Sequence, residues 1–296
     1  MDRRGFLLGV TAVLAAGCAR VPPAEAGGSP SAEPTLAPMV VGQDGTSAEA
    51  VFAQLLVAAV AATGQPAVTG PVEDGWQAAL GHGDLAALPA FGGTLWASLS
   101  QDDEPPAAKD LPGEVAGLLE PDVSVLEAGG VDGALVWLVT QETAEAGITS
   151  LSRIGSWSKG KIAAIPPMAT SRADGVPGLR TVYGAQFSVM KVENPVERAS
   201  RLANGDAAIA AFRRTDYTGA SGMVELVDTQ KLAVVDPGLV LVNTALTDSA
   251  PDQVLAMNQV AQVVTTDMLI DLQAQVAAGG TVADVASRWV KDQGIG

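Results

Sequence analysis

The chain has one cysteine, one histidine and 4% aromatic residues, and its 17 Lys and Arg are outnumbered by 33 Asp and Glu. With Cys18 alone, no internal disulfide and no thiolate cluster for a metal can form. The sole imidazole, His82, lies in the turn Gly81-His82-Gly83, so any histidine-based triad would have to use it. No His/Cys/Asp spacing suits zinc, and no Gly-rich loop ends in Lys-Ser/Thr to cradle a phosphate. Catalysis and a cofactor are therefore not expected. A formal charge of −16 repels nucleic acid and anionic headgroups alike. The apolar run from Gly5 to Gly17 falls short of the roughly 20 residues that span a hydrocarbon core. What is plentiful is aliphatic: 48% of residues are apolar, mostly Ala, Val and Leu, enough to bury sizeable cores.

Met1-Asp2-Arg3-Arg4-Gly5-Phe6-Leu7-Leu8, followed by apolar residues and small ones before a cut site, describes an export signal over 1–17. Arg3-Arg4-Gly5-Phe6-Leu7 resembles a twin-arginine signal, although the general secretory route also accepts paired basic residues. Leu14-Ala15-Ala16-Gly17-Cys18 resembles the lipobox of bacterial lipoproteins. That resemblance implies a diacylglyceryl group on Cys18, and two acyl chains suffice for stable anchoring at the outer face of the cell membrane. Removal of 1–17 takes Asp2, Arg3 and Arg4 and leaves 32 acidic and 15 basic residues, a balance of −17, so membrane contact must come from the lipid. Residues 18–38, rich in Pro, Ala, Gly and Ser, read as a flexible tether.

Beyond the tether, 39–42 predicts a buried strand, and Ser47 an N-cap for an aliphatic helix over 48–63. A strand over 66–69, a helix over 74–80 stopped by Gly81, and a strand over 85–88 ending at Pro89 complete a βαβαβ rhythm. That rhythm points to an α/β fold with a mostly parallel sheet. Further strands are expected over 134–140, 161–165, 207–212 and 232–235. Helices are expected over 91–100 and 195–203, at a start near 178–180, and over 251–263, 266–277 and 282–291. An acidic, Pro-rich loop covers 101–112. No fixed-period repeat is present, and the mature chain of 279 residues reads as two α/β units.

Val41-Gly-Gln-Asp-Gly-Thr-Ser-Ala-Glu49, Gly83-Asp-Leu-Ala-Ala-Leu-Pro-Ala-Phe-Gly-Gly-Thr94, Arg172-Ala-Asp-Gly-Val-Pro-Gly-Leu179 with Tyr183-Gly184, and Thr215-Asp216 stand in an informative order and spacing. Together they resemble the glycine betaine/choline/carnitine type of substrate-binding protein, which serves ABC importers of compatible solutes. The resemblance covers roughly 39–294; the tail, 264–273 and 282–289, is similar to that family's closing helices. It implies a two-lobe, periplasmic-binding-protein-like fold of type II. Lobe one would be 39–131 plus 238–296 and lobe two 132–237, with a small-molecule solute in the cleft and closure by hinge motion. A monomer working with ABC permease and ATPase subunits is implied as well.

In that family aromatic faces hold a quaternary ammonium, because a ring quadrupole attracts a cation that donates no hydrogen bonds. Phe91 stands where the family usually has Tyr and reads either as a cage wall or as a core residue. Thr94, with the amides of Gly92 and Gly93, lies at a helix start that suits an anionic group. Asp44 and Thr46, after the first strand, read as ligand contacts or as capping residues. Arg213 replaces the family's cage Tyr at the same interval, and Ala134-Leu135 stand where another aromatic is expected. An Arg there opposes a trimethylammonium and favours a carboxylate or phosphate. Tyr217 and Trp137 are candidate replacement faces, Trp137 also reading as core. Asp216 pairs with Arg213 or Arg214, or is a solvated surface residue; Trp76 points to the cleft or into core. Two functions stay open: a receptor for a glycine betaine/choline-like or an anionic solute, and an envelope lipoprotein acting as sensor or interaction module.

Overall fold

Short aliphatic strands alternating with helices build two five-stranded sheets. A computed structural model describes residues 36–43, 47–100, 109–126, 129–216, 222–234 and 236–296. Cys18, Asp44, Thr46 and Tyr217, with the expected leader and most of the expected tether, lie outside the described residues. The chain runs β1 (Met39–Gln43), α1 (Ser47–Ala62), β2 (Ala67–Pro71), α2 (Trp76–His82), β3 (Ala87–Phe91), α3 (Gly92–Leu99), α4 (Leu111–Leu118) and β4 (Val123–Leu126). It then enters the second sheet with β5 (Leu135–Thr140), α5 (Gln141–Glu145), α6 (Ile154–Trp157), β6 (Ile162–Ile165), α7 (Val176–Tyr183), β7 (Ser188–Lys191), α8 (Pro195–Ala203), β8 (Ile209–Arg213) and β9 (Met223–Glu225). It returns through β10 (Gly238–Asn243), α9 (Leu246–Ser249), α10 (Pro251–Val263), α11 (Thr266–Ala277) and α12 (Val282–Gln293). The sheets are ordered β2-β1-β3-β10-β4 and β7-β6-β8-β5-β9.

Both sheets are mixed rather than mostly parallel. β1 runs parallel to β2 and β3, and β6 to β7 and β8, but β10 opposes β3 and β4, and β5 opposes β8 and β9. The reason is the entry point: β10 starts beside the end of β3 (Gly238 opposite Phe91), and β5 starts beside the end of β8 (Leu135 opposite Arg213). Each therefore leaves the junction between the sheets as its neighbour arrives there. Pro89 does not end the third strand. Register with β1 reaches β3 only at Ala87, so past that point a missing N–H disturbs no partner on that edge. Residues 232–234 form no strand either. The Ala233 N–H is instead taken by the Asp228 carboxylate at 2.7 Å, and Val235 lies outside the described residues.

Alternation places cores on both faces of each sheet. In β10, Leu239 and Leu241 join Leu80, Leu88 and Trp96, whereas Val240 and Val242 join α1 and the three tail helices. α1 is aliphatic on nearly all sides and is correspondingly enclosed, with Leu55, Leu56 and Val60 fully buried. In the second sheet Leu135, Trp137 and Ile209 pack toward α6 and α7, and Val136, Ala210 and Phe212 toward α8.

Two crossovers join the sheets side by side. Gly133 N–H donates to Asp236 O (2.7 Å) and Gly238 N–H to Val131 O (3.0 Å). The first crossover approaches the end of α10 so closely that a Cβ on Gly129 would lie 1.7 Å from the Ala261 carbonyl oxygen. Gly129→Ala is therefore expected to cost about 1–3 kcal/mol by overpacking. Gly113→Ala, in open space on α4, should gain about 0.5 kcal/mol. Opposite shifts of the urea midpoint are the check.

Candidate functional site

β3 passes directly into α3, so the first N–H groups of that helix open at the junction. Gly92 N–H donates to Pro237 O at 2.8 Å. Thr94 gives both its N–H (2.9 Å) and its hydroxyl (2.6 Å) to the carboxylate of Asp236, which is fully buried on the returning crossover. The anion at this helix start is thus one of the chain's own residues.

From the second sheet come two guanidiniums. Arg172, in the turn before α7, grips Asp174 with Nε and Nη2 at 2.7 Å each and donates Nη1 to the Thr94 hydroxyl at 2.6 Å. Burial works against its charge, but Asp174 and Asp236 outweigh that and hold it above its ordinary value. Arg213, the last residue of β8, sets its guanidinium 4.5 Å from the centroid of the Phe91 ring. Its Nη1 stands 3.6 Å from Asp236 Oδ2, buried and, among the described residues, without a hydrogen bond.

Arg213 is fixed from behind. Asp216 accepts its backbone N–H at 3.1 Å and pairs with Arg198 Nη2 at 2.8 Å. Arg198, on the inner face of α8, is 1% exposed. It donates Nη1 to the carbonyls of Val192 and Glu193 and lies 4.8 Å from the Phe212 ring centroid. Burial raises the Asp216 carboxyl in spite of Arg198, and burial lowers the Arg198 guanidinium in spite of Asp216. Such a pair costs much to desolvate, and more to break on one side. A further bridge between the sheets runs from Gln273 of α11, whose Nε2 donates to Thr215 O at 2.7 Å.

Of the candidate residues, Phe91, Gly92, Thr94 and Arg213 come together at the junction. Of the two readings of Phe91, cage wall or core residue, the structure shows a buried ring covered by Arg213, and the helix start at Gly92 to Thr94 is taken by Asp236. Asp216 pairs with Arg198 rather than with the guanidinium of Arg213 or Arg214; Arg214 reaches Asp132 (3.3 Å) and Glu225 (2.8 Å). Trp137 is core, and Trp76 packs beside Leu80 and lines a separate groove of about 460 Å³ with His82, Glu120 and Asp122. Arg172, Asp174 and Asp236 were not among the candidates. Arg172 and Asp174 do lie in one of the quoted motifs, with the Arg-x-Asp spacing that allows a bidentate fork. Asp236 has no comparable signal.

The carboxyl ends of β3 and β8 thus meet between two sheets, the place where open α/β folds present small ligands. No family model matches the chain. In three dimensions it is similar to a glycine betaine/carnitine/choline ABC transporter protein, with TM-score 0.71 and 19% identity over 87% of this chain and 99% of that one. It is also similar to apo YehZ of Escherichia coli (0.66, 19%, 88% and 99%). A choline-binding protein of an ABC transporter in complex with choline gives 0.61 and 14%, over 86% and 88%. The fold is the two-lobe, type II binding-protein fold.

A second polar knot tests pH. Burial acts to raise the Asp228 carboxyl, but N–H groups of Ala233, Leu232 and Gln230 and the Tyr183 hydroxyl outweigh it and hold it below its ordinary value. A depressed carboxyl stabilises the fold fully above its unfolded pKa of about 4, and that stability is lost as pH falls through the native value. The melting-point gap between the wild type and Asp228→Asn should accordingly be open at pH 7 and close toward pH 3. Asp216→Ala, which strands Arg198, should cost about 3–5 kcal/mol. Asp216→Asn, which keeps an acceptor for the Arg213 N–H, should cost less in the same urea titration.

Proposed function

We propose that the protein is the extracytoplasmic solute receptor of an ABC importer, exported by its leader and held at the membrane by a lipidated Cys18. The observation that carries this reading is the junction itself. Thr94 of one sheet, Arg172 and Arg213 of the other, and Asp236 of the crossover between them converge on one point. A solute bound there would touch both lobes, 39–131 with 238–296 and 132–237. Its binding energy would go into drawing them together, which gives a permease a shape to distinguish. The fold is shared with proteins described as serving glycine betaine, carnitine and choline transport, which supports the same class of task. Binding and release, rather than bond making, is the chemistry such a cleft performs.

One observation favours a second reading, an envelope lipoprotein acting as sensor or interaction module. Both features that would hold a zwitterion, the Phe91 face and the start of α3, are engaged by Arg213 and Asp236. A thermal-shift panel of small cations, zwitterions and anions at millimolar concentration separates the two. A receptor gains about 2.7 kcal/mol at a hundredfold excess over the dissociation constant of its solute. A flat response to the whole panel would leave only the second reading. Palmitate incorporation by the expressed chain, abolished in Cys18→Ala, is the outcome expected of the anchor.

A further inference from the structure

We propose that Arg213 decides the solute class. It occupies, as a resident cation, the place between the Phe91 ring and Asp236 that an onium group would take, and the cleft therefore selects small solutes bearing a carboxylate. This rests on the receptor reading above and narrows it. A ring face accommodates one cation at about 4–6 Å, and the Arg213 guanidinium is already there at 4.5 Å. The ring is 3% exposed, and the backbone of Gly133 closes against it: a Cβ at that position would fall 2.3 Å from the ring Cδ1. The ring face that a trimethylammonium would use is thus covered by Arg213. Beside it Arg172, 3.6 Å from the same Asp236 oxygen, is already matched by its bidentate grip on Asp174.

Among the described residues, the Nη1 of Arg213 has no hydrogen-bond acceptor. That nitrogen is buried, and Asp236 Oδ2 stays at 3.6 Å, beyond hydrogen-bonding reach, while it accepts the Thr94 hydroxyl. A planar fork with an unmet donor is the recognition element for a carboxylate, and the bond it forms is charge-assisted. Removal of the guanidinium would have the reverse effect. It would leave an aromatic face and a buried carboxylate side by side, which is the chemistry that receives an onium cation.

The test is a calorimetric and thermal-shift titration of the full chain with choline chloride and with sodium succinate, in the wild type, Arg213→Ala and Arg213→Gln. Succinate should stabilise the wild type saturably and choline should not. Both variants should bind succinate at least about tenfold more weakly, the loss of one charge-assisted hydrogen bond, and should acquire a response to choline. Choline stabilising the wild type would overturn the inference and leave the receptor reading intact. Equal succinate affinity in wild type and variants would do the same. No response of the wild type to any solute of the wider panel would remove the receptor reading, and this inference with it. The wild-type titrations need no variant to fold, and Arg213→Gln retains polarity beside Asp236 should Arg213→Ala prove unstable.

Discussion

A carboxylate with no access to water organises the junction. Asp236 sits where α3 begins, where the returning crossover leaves the second sheet, and where two guanidiniums arrive. An uncompensated charge at that depth costs several kcal/mol, so its partners are obligatory. They come from different parts of the chain: an N–H and a hydroxyl from Thr94, and positive charge from Arg172 and Arg213. These donors come from elements of both sheets, so the requirement is met where the two sheets meet. The charges join uncharged bridges, Gln273 to the Thr215 carbonyl and the Gly133 backbone against Phe91, in coupling the two sheets.

The mixed sheets serve the same end. If β5 and β10 ran with their neighbours, each would enter its sheet at the edge remote from the junction, and the crossovers could not lie side by side. Antiparallel entry brings Val131 to Gly133 alongside Asp236 to Gly238. It also sets the ends of β3 and β8, and hence Phe91 and Arg213, on facing sides of one gap.

Much of this was legible in the sequence where a local signal existed. Asn194 before Pro195 marks the start of α8, and Thr265 and Thr281 cap α11 and α12, each by accepting an N–H three residues on. β10, the most enclosed of the described strands, carries no such signal, because Gly-Leu-Val-Leu-Val-Asn is buried on both faces and so has no alternation to read. Pro89 reads as a stop in the sequence because the one-sided pairing that tolerates it is a tertiary fact. At the site, Phe91, Thr94 and Arg213 could be found through the family resemblance of the segments that carry them. Asp236 could not, since its bond to Thr94 spans 142 residues. Arg198 was hidden in another way. On a strongly amphipathic helix, charged residues read as the solvated face, yet this one points inward to Asp216 and Phe212.

The inner pairing also shapes what the molecule shows to its surroundings. Arg172, Arg198 and Arg213 are matched by Asp174, Asp216 and Asp236, so these three pairs cancel and the excess of 16 negative charges falls on the rest of the chain. With cations drawn inward, the outer surface is poorer in positive charge than composition alone conveys. Two such molecules meeting in dilute electrolyte repel one another over about a Debye length. Crowding at a common boundary would space them apart like beads of equal sign, a separation that added salt relaxes.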